Sequence, residues 1–500
     1  MPKPKQFLKE NKKKSKHAPP VPTTADEYLA AGVEFEEAGE KWRGGDAVKS
    51  TRFFVRALDC YDEGLKKFSE SFDLAYNKAR LQYEITQHPK LLQQLPGTLL
   101  ELLQTAIESS RYALKLNSEN ADALFNTAQA LRSYSEATIV VDQNPSRHLE
   151  EALWLFELCL ETQVRGFDKD SAAEAKALKL AAAAESSKDV EMGDAGTLNT
   201  SRTDAESATE PSTNLSQSEE TAWARIFEPV TKDTIIETLI AQLDTLSMLS
   251  KEITPSDQDA VRRVVEYYKN PIKPVLERFS PNSSDRSLDI KLAIANYKCA
   301  AADLQYNAEQ IDLGQYENIV NTAYNFDMSK NPEAMCDAGE SLVTFHAALA
   351  YLSINCEPYL TQRWNSLSKA QEYFTSASKL PDAEHKEKIH TMRGDVEMLR
   401  FQLGQDSVGY APAAKNKDTL LRNANKFYQG AMEISVQSGL HEASVEAQIK
   451  LLIVEAFGGK TEDLRLAEKV LKEFRKVLSE AAADGVVTGQ QLAAFNIAGY

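Results

Sequence analysis

Few residues in this chain are spaced as catalysis or metal binding would require. Gly458-Gly459-Lys460-Thr461 resembles the end of a phosphate-binding loop, in which backbone N–H groups and a lysine cradle phosphate oxygens. The earlier glycine that such a loop needs is Val454 here, and a helical run precedes it where a strand should stand. The four residues therefore read as an interhelical turn. His385 and His390 stand five apart in a charged helical stretch, so their imidazoles point in different directions and cannot share a metal as a four-residue spacing would allow. Both read as solvated. Cys60, Cys159, Cys299, Cys336 and Cys356 stand singly, with no C-x-x-C and no histidine at ligand spacing, which fits buried free thiols at helix-packing positions. No G-x-S-x-G, H-E-x-x-H or G-x-G-x-x-G occurs, and no carboxylate pair is placed for general acid and base work. A non-enzymatic chain without metal or cofactor is expected.

The elements that carry these residues follow a packing code instead. A small residue recurs with a large apolar one four positions on and a small or apolar one three further: Ala152, Phe156 and Cys159; Ala370, Phe374 and Ala377; Ala424, Tyr428 and Ala431; Ala467, Leu471 and Phe474. Positions i, i+4 and i+7 share one helix face, and the small residue lets a neighbouring helix approach closely. Each copy adjoins another amphipathic run, so the unit is a pair of antiparallel helices that must stack to bury its apolar face. Strand-like alternation is scarce and the fold class is all-α.

This pattern resembles the tetratricopeptide repeat (TPR) family, whose second helix carries a small residue, an aromatic four later and an alanine three later. Gly45-Asp46 before Ser50, Phe54 and Ala57 fits it, as does Leu313-Gly314-Gln315-Tyr316 before Ile319, Ala323 and Phe326. The stretch Ala113-Leu114-Lys115-Leu116-Asn117-Ser118-Glu119-Asn120-Ala121-Asp122-Ala123-Leu124-Phe125-Asn126 is similar to the family consensus where one helix ends and the next begins. Successive anchors lie 43 to 56 residues apart against a family period of about 34, and Ser110 replaces one aromatic, so the repeats are degenerate. The resemblance implies a TPR-like α-solenoid that presents a protein-binding surface. Tyr76, Phe125 and Tyr134 on first helices either line its groove or fill its core. The asparagine positions of a chaperone-tail carboxylate clamp fall on Asn77 and Asn126, but Thr127, Ala128, Gln129 and Ala130 follow where basic residues belong, so no clamp is expected.

Composition divides the chain further. Residues 1–23 form a disordered basic tail, and Lys12, Lys13, Lys14 and Lys16 within it resemble a nuclear localisation signal read by an import receptor. TPR-like helix pairs follow over 24–165, with Asp26 as the expected first cap and Pro89 and Pro96-Gly97 as breakers. Residues 166–222 read as a disordered acidic Ser/Thr-rich insertion, opening on a helical run from Ala172 to Ala184; within it, Asp168 to Thr221 hold 12 acidic and 5 basic residues, a charge of −7. Helix pairs resume over 223–484, and 485–500 is a capping segment or a tail. No apolar run approaches the roughly 18 residues a membrane helix needs, and no secretory signal leads the chain.

Net charge is −17 at a pI near 5.1, which disfavours nucleic acid except through the basic tail and favours a basic protein client. Helical repeats, acidity and a nuclear signal together resemble the escort chaperones of ribosomal proteins and histones, active in nucleus and cytoplasm. The alternative is a fixed scaffold subunit of a translation, RNA-processing or degradation complex.

Overall fold

The computed structural model describes residues 22–138, 146–188, 230–280, 286–350, 357–405, 407–497 and 499, and for 178–188 the backbone alone. Lys12, Lys13, Lys14, Lys16, Cys356, residues 189–222 of the acidic insertion and the following 223–229 lie outside the described residues.

Side-chain caps fix where helices begin. The Thr24 hydroxyl accepts from the Glu27 N–H at 3.2 Å while the Glu27 carboxylate accepts from the Thr24 N–H at 3.2 Å, a reciprocal box that opens α1 (Ala25–Arg43). Asp26, expected as the cap, lies instead in the first turn, where its charge complements the free N–H groups. Asp46 accepts from the Lys49 N–H at 2.9 Å and starts α2 (Ala47–Lys67), so Gly45-Asp46 is the turn the sequence suggests. Next come α3 (Phe72–Thr86), α4 (Pro89–Leu92) with Pro89 at its first position, α5 (Leu99–Leu116), α6 (Ala121–Thr138) and α7 (Ser146–Lys188). The last of these carries helix through the alanine-rich run from Ala172 to Ala184.

The remaining helices are α8 (Lys232–Glu252), α9 (Gln258–Tyr267), α10 (Lys273–Phe279), α11 (Ser287–Asn307), α12 (Leu313–Ala323), α13 (Pro332–Ala350), α14 (Glu357–Lys379), α15 (Lys386–Leu403), α16 (Ala411–Lys415), α17 (Lys417–Ser438), α18 (His441–Phe457), α19 (Thr461–Val470), α20 (Phe474–Ala483) and α21 (Gly489–Ala494). No strand occurs among the described residues, and the chain is all-α. It divides into two compact units, residues 1–140 with 154–238 and residues 141–153 with 239–500, so α7 and α8 contribute to both. In the first unit α1 packs on α2 and α3 on α5, over a core of Phe54, Tyr61, Leu74, Leu81 and Leu91. In the second, α11 packs on α12, α13 on α14, α15 on α17 and α17 on α18.

The packing code holds in five copies. Ala152, Phe156 and Cys159, Ala370, Phe374 and Ala377, Ala424, Tyr428 and Ala431, Ser50, Phe54 and Ala57, and Ala106, Ser110 and Ala113 are all buried. The aromatic of four pairs sits on a glycine of the partner helix: Phe54 on Gly39, Tyr61 on Gly32, Phe374 on Gly339 and Tyr428 on Gly394. A Cβ at Gly339 would stand 2.5 Å from a Phe374 ring carbon, closer than side-chain carbons approach one another. The glycine and the ring are two halves of one contact.

Two copies fail. Leu313-Gly314-Gln315-Tyr316 is the first turn of α12, capped by Asp312, and the buried positions there are Tyr316 and Val320 while Ile319, Ala323 and Phe326 are half-buried. The Tyr316 ring meets Phe345 edge-on at 5.1 Å, and that contact sets the face. Ala467, Leu471 and Phe474, spaced to share one helix face, instead straddle a break at Leu471, whose backbone is extended, with neither glycine nor proline nearby. The break turns Phe474, Val477, Leu478 and Ala481 into the core that Leu492, Phe495 and Ile497 complete, so residues after Gly485 include the capping helix α21.

Candidate protein-binding face

In the first unit the first helices α1, α3 and α6 are joined by polar side chains. The Tyr61 hydroxyl donates to Glu36 at 2.5 Å, Arg80 pairs with Glu36, and Arg80 also donates to Glu84 at 2.7 Å. Burial pushes the Glu36 carboxyl up, and Arg80 and the Tyr61 hydroxyl pull it back. Arg43 extends the network to Glu40 at 2.9 Å and to His88 at 3.0 Å.

Tyr76 and Tyr134 are half-buried on α3 and α6. The Tyr76 hydroxyl accepts from Asn126 at 3.1 Å, and its ring stacks on Phe72 at 5.7 Å. Phe125 is 6 % exposed and meets Phe156 edge-on at 5.5 Å, so its ring fills the core. Asn77 donates to the Asp73 carbonyl of its own helix at 2.8 Å. Asn126 and Asn77, the two candidate clamp positions, are both engaged within the chain.

In the second unit, helices α11, α13, α15 and α18 carry two groups of carboxylates, Asp303 and Asp337, on both of which Lys251 acts, and Asp395 and Glu446, around Lys450. Tyr324 donates to the Asn296 side-chain carbonyl at 2.7 Å, and the Asn296 amide donates to Asp337 at 2.7 Å. Burial pushes the Asp337 carboxyl up to about 6; the Asn296 hydrogen bond lowers it, and Glu340 and Glu333, exposed on the same helix, raise it further. Tyr316 donates to Asp303 at 2.9 Å, and Tyr428 to Asp395 at 2.7 Å. Lys450 is 4 % exposed and lies 3.0 Å from Asp395 and 2.9 Å from Glu446. Burial disfavours its charge, but the two carboxylates outweigh that and hold it protonated. Sequence reading missed this line because the residues come from four helices. The i, i+4 pair of Glu446 and Lys450 was the local signal.

Gly458 and Gly459 form the α18–α19 turn, with Gly459 at φ 92°. His385 precedes α15 in a left-handed conformation and is exposed. His390, read as solvated, is half-buried beside Phe427 with ring centroids 6.4 Å apart. Cys159 and Cys299 are buried, and burial pushes both thiols up to about 12. Among the described residues no three His, Cys, Asp or Glu converge as metal ligands, and no helix is long and apolar enough to cross a membrane.

No protein-family model matches the chain. It is 31% identical over 160 residues to UPF0656 protein C926.02 of Schizosaccharomyces pombe, covering 32% of this chain and 34% of that protein. It is 35% identical over 85 residues to the uncharacterized protein YNL193W of Saccharomyces cerevisiae, 16% of this chain and 15% of that one. The chain thus matches about a third or less of the length of these curated relatives. Among solved structures it is similar to a circular tandem repeat protein with novel repeat topology, at TM-score 0.27 and 14% identity over 92% of this chain and 99% of that one. It is also similar to the S. pombe nuclear import adaptor Nro1, at TM-score 0.28 and 13% identity over 84% of this chain and 99% of that one. Likeness at this level carries no functional argument.

Proposed function

We propose that this protein is a non-catalytic helical-repeat adaptor that binds a basic protein segment, as an escort chaperone or assembly factor for a client such as a ribosomal protein or histone. The observation that supports this reading is the set of carboxylates on α11, α13, α15 and α18 of the second unit. Asp337 stands there with Glu333 and Glu340 on α13, and Asp395 and Glu446 flank Lys450, which is already taken by the two of them. A half-buried carboxylate flanked by others gains most when a lysine or arginine arrives to share its charge. Tyr76 and Tyr134 are proposed to offer aromatic contact area on the first unit.

The basic tail is proposed to engage an import receptor through Lys12, Lys13, Lys14 and Lys16, which gives the adaptor access to nucleus and cytoplasm. The test is purification of the native protein with its partners, followed by washes at rising salt. An escorted basic client leaves between low and moderate salt, because charge pairs at an exposed face are screened. A stoichiometric complex that resists salt would instead establish the fixed-scaffold reading.

A further inference from the structure

We infer that the exposed face of α7 around Trp154 is a contact site for lysine or arginine side chains of a basic client. This rests on the basic-client reading above and names a second surface for it. On α7 the neighbours Leu155, Phe156 and Cys159 are buried, yet Trp154 is 57 % exposed. An indole in water gives up a large apolar area that burial would reward, and tryptophan so placed is enriched among the residues that dominate interfaces.

What surrounds the ring selects the partner. Glu157 and Leu158 follow one turn on, half-buried, and Glu161 stands exposed two turns on, roughly 10 Å along the axis. Arg165 lies a further turn away and turns its guanidinium to the Thr162 hydroxyl at 3.3 Å. An indole face with the exposed Glu161 carboxylate along the same helix suits a cation whose head sits over the ring and whose neighbours in sequence are also basic. An acidic or purely apolar segment would meet Glu161 unfavourably, and the net charge of −17 draws basic segments to the molecule as a whole.

The experiment titrates a labelled synthetic Lys/Arg-rich peptide into the full chain and follows fluorescence anisotropy. The expected result is binding by the wild type, affinity lower by about tenfold in Trp154→Ala, and affinity kept within a few fold in Trp154→Phe. Glu161→Gln should weaken binding and flatten its salt dependence. Because the ring is exposed, the melting temperature of Trp154→Ala should match the wild type, which separates lost contact from lost fold. Equal peptide affinity in wild type and Trp154→Ala overturns this site while leaving the basic-client reading intact. Absence of any peptide binding by the folded wild type overturns both.

Discussion

At the scale of single residues the second unit places two titratable groups whose environments act in opposite directions. Burial lifts Asp337 to about 6, and burial with Arg363 nearby pushes the His346 imidazole down to about 3. A carboxyl whose folded value is raised contributes stability that is fully present below about 3.9, its unfolded value, and is lost as pH rises through 6. Asp337→Asn should therefore raise stability at pH 7 by about 1 to 2 kcal/mol and flatten the pH dependence between about 4 and 6. His346 stays neutral in the folded state, so acidification below about 6.5 costs stability through it, the reverse sign. Thermal melts of wild type and Asp337→Asn across this range isolate the carboxyl; an Asp337→Asn curve parallel to the wild type would remove Asp337 from the account. A client lysine beside Asp337 would lower its pKa, so client affinity should grow as pH rises through 6.

At the scale of elements the decisive contact is the aromatic ring seated on a glycine of the partner helix. Phe374→Ala should cost about 3 to 5 kcal/mol, because a 1 % exposed ring leaves a cavity. Gly339→Ala attacks the same contact from the other side and should cost about 1 to 3 kcal/mol by overpacking. Chemical denaturation measures both, and a neutral Gly339→Ala would defeat the seating argument. The ring half of this contact was legible in sequence, since small, large and small residues at i, i+4 and i+7 specify one buried face. The glycine half was missed because a lone glycine inside a helical run looks like a weakness of propensity until the ring opposite is known. Ile319, Ala323 and Phe326 misled because a helix offers several apolar faces, and the Tyr316 contact with Phe345 chose another. The pairing of Asp395 with Lys450 was illegible for a further reason: the two stand 55 residues apart, on α15 and α18.

At the scale of the whole molecule, the all-α class was legible because strand-like alternation is scarce along the chain. The N-terminal lysines call for a test in cells. Replacing Lys12, Lys13, Lys14 and Lys16 with alanine removes four charges from that stretch, and nuclear accumulation of a tagged protein should fall while its melting temperature holds. Identical distributions of wild type and mutant would return the tail to a solvated extension. The ring-on-glycine pairs carry one more consequence, which concerns assembly of the chain in time. Gly39 and Phe54, Gly339 and Phe374, and Gly394 and Tyr428 are near neighbours in sequence, so each pair closes a short loop. Folding built from such local closures has low contact order and proceeds quickly. A helix pair can therefore dock soon after it leaves the ribosome, and the core under α18 to α20 closes last, once Leu492, Phe495 and Ile497 have been synthesised.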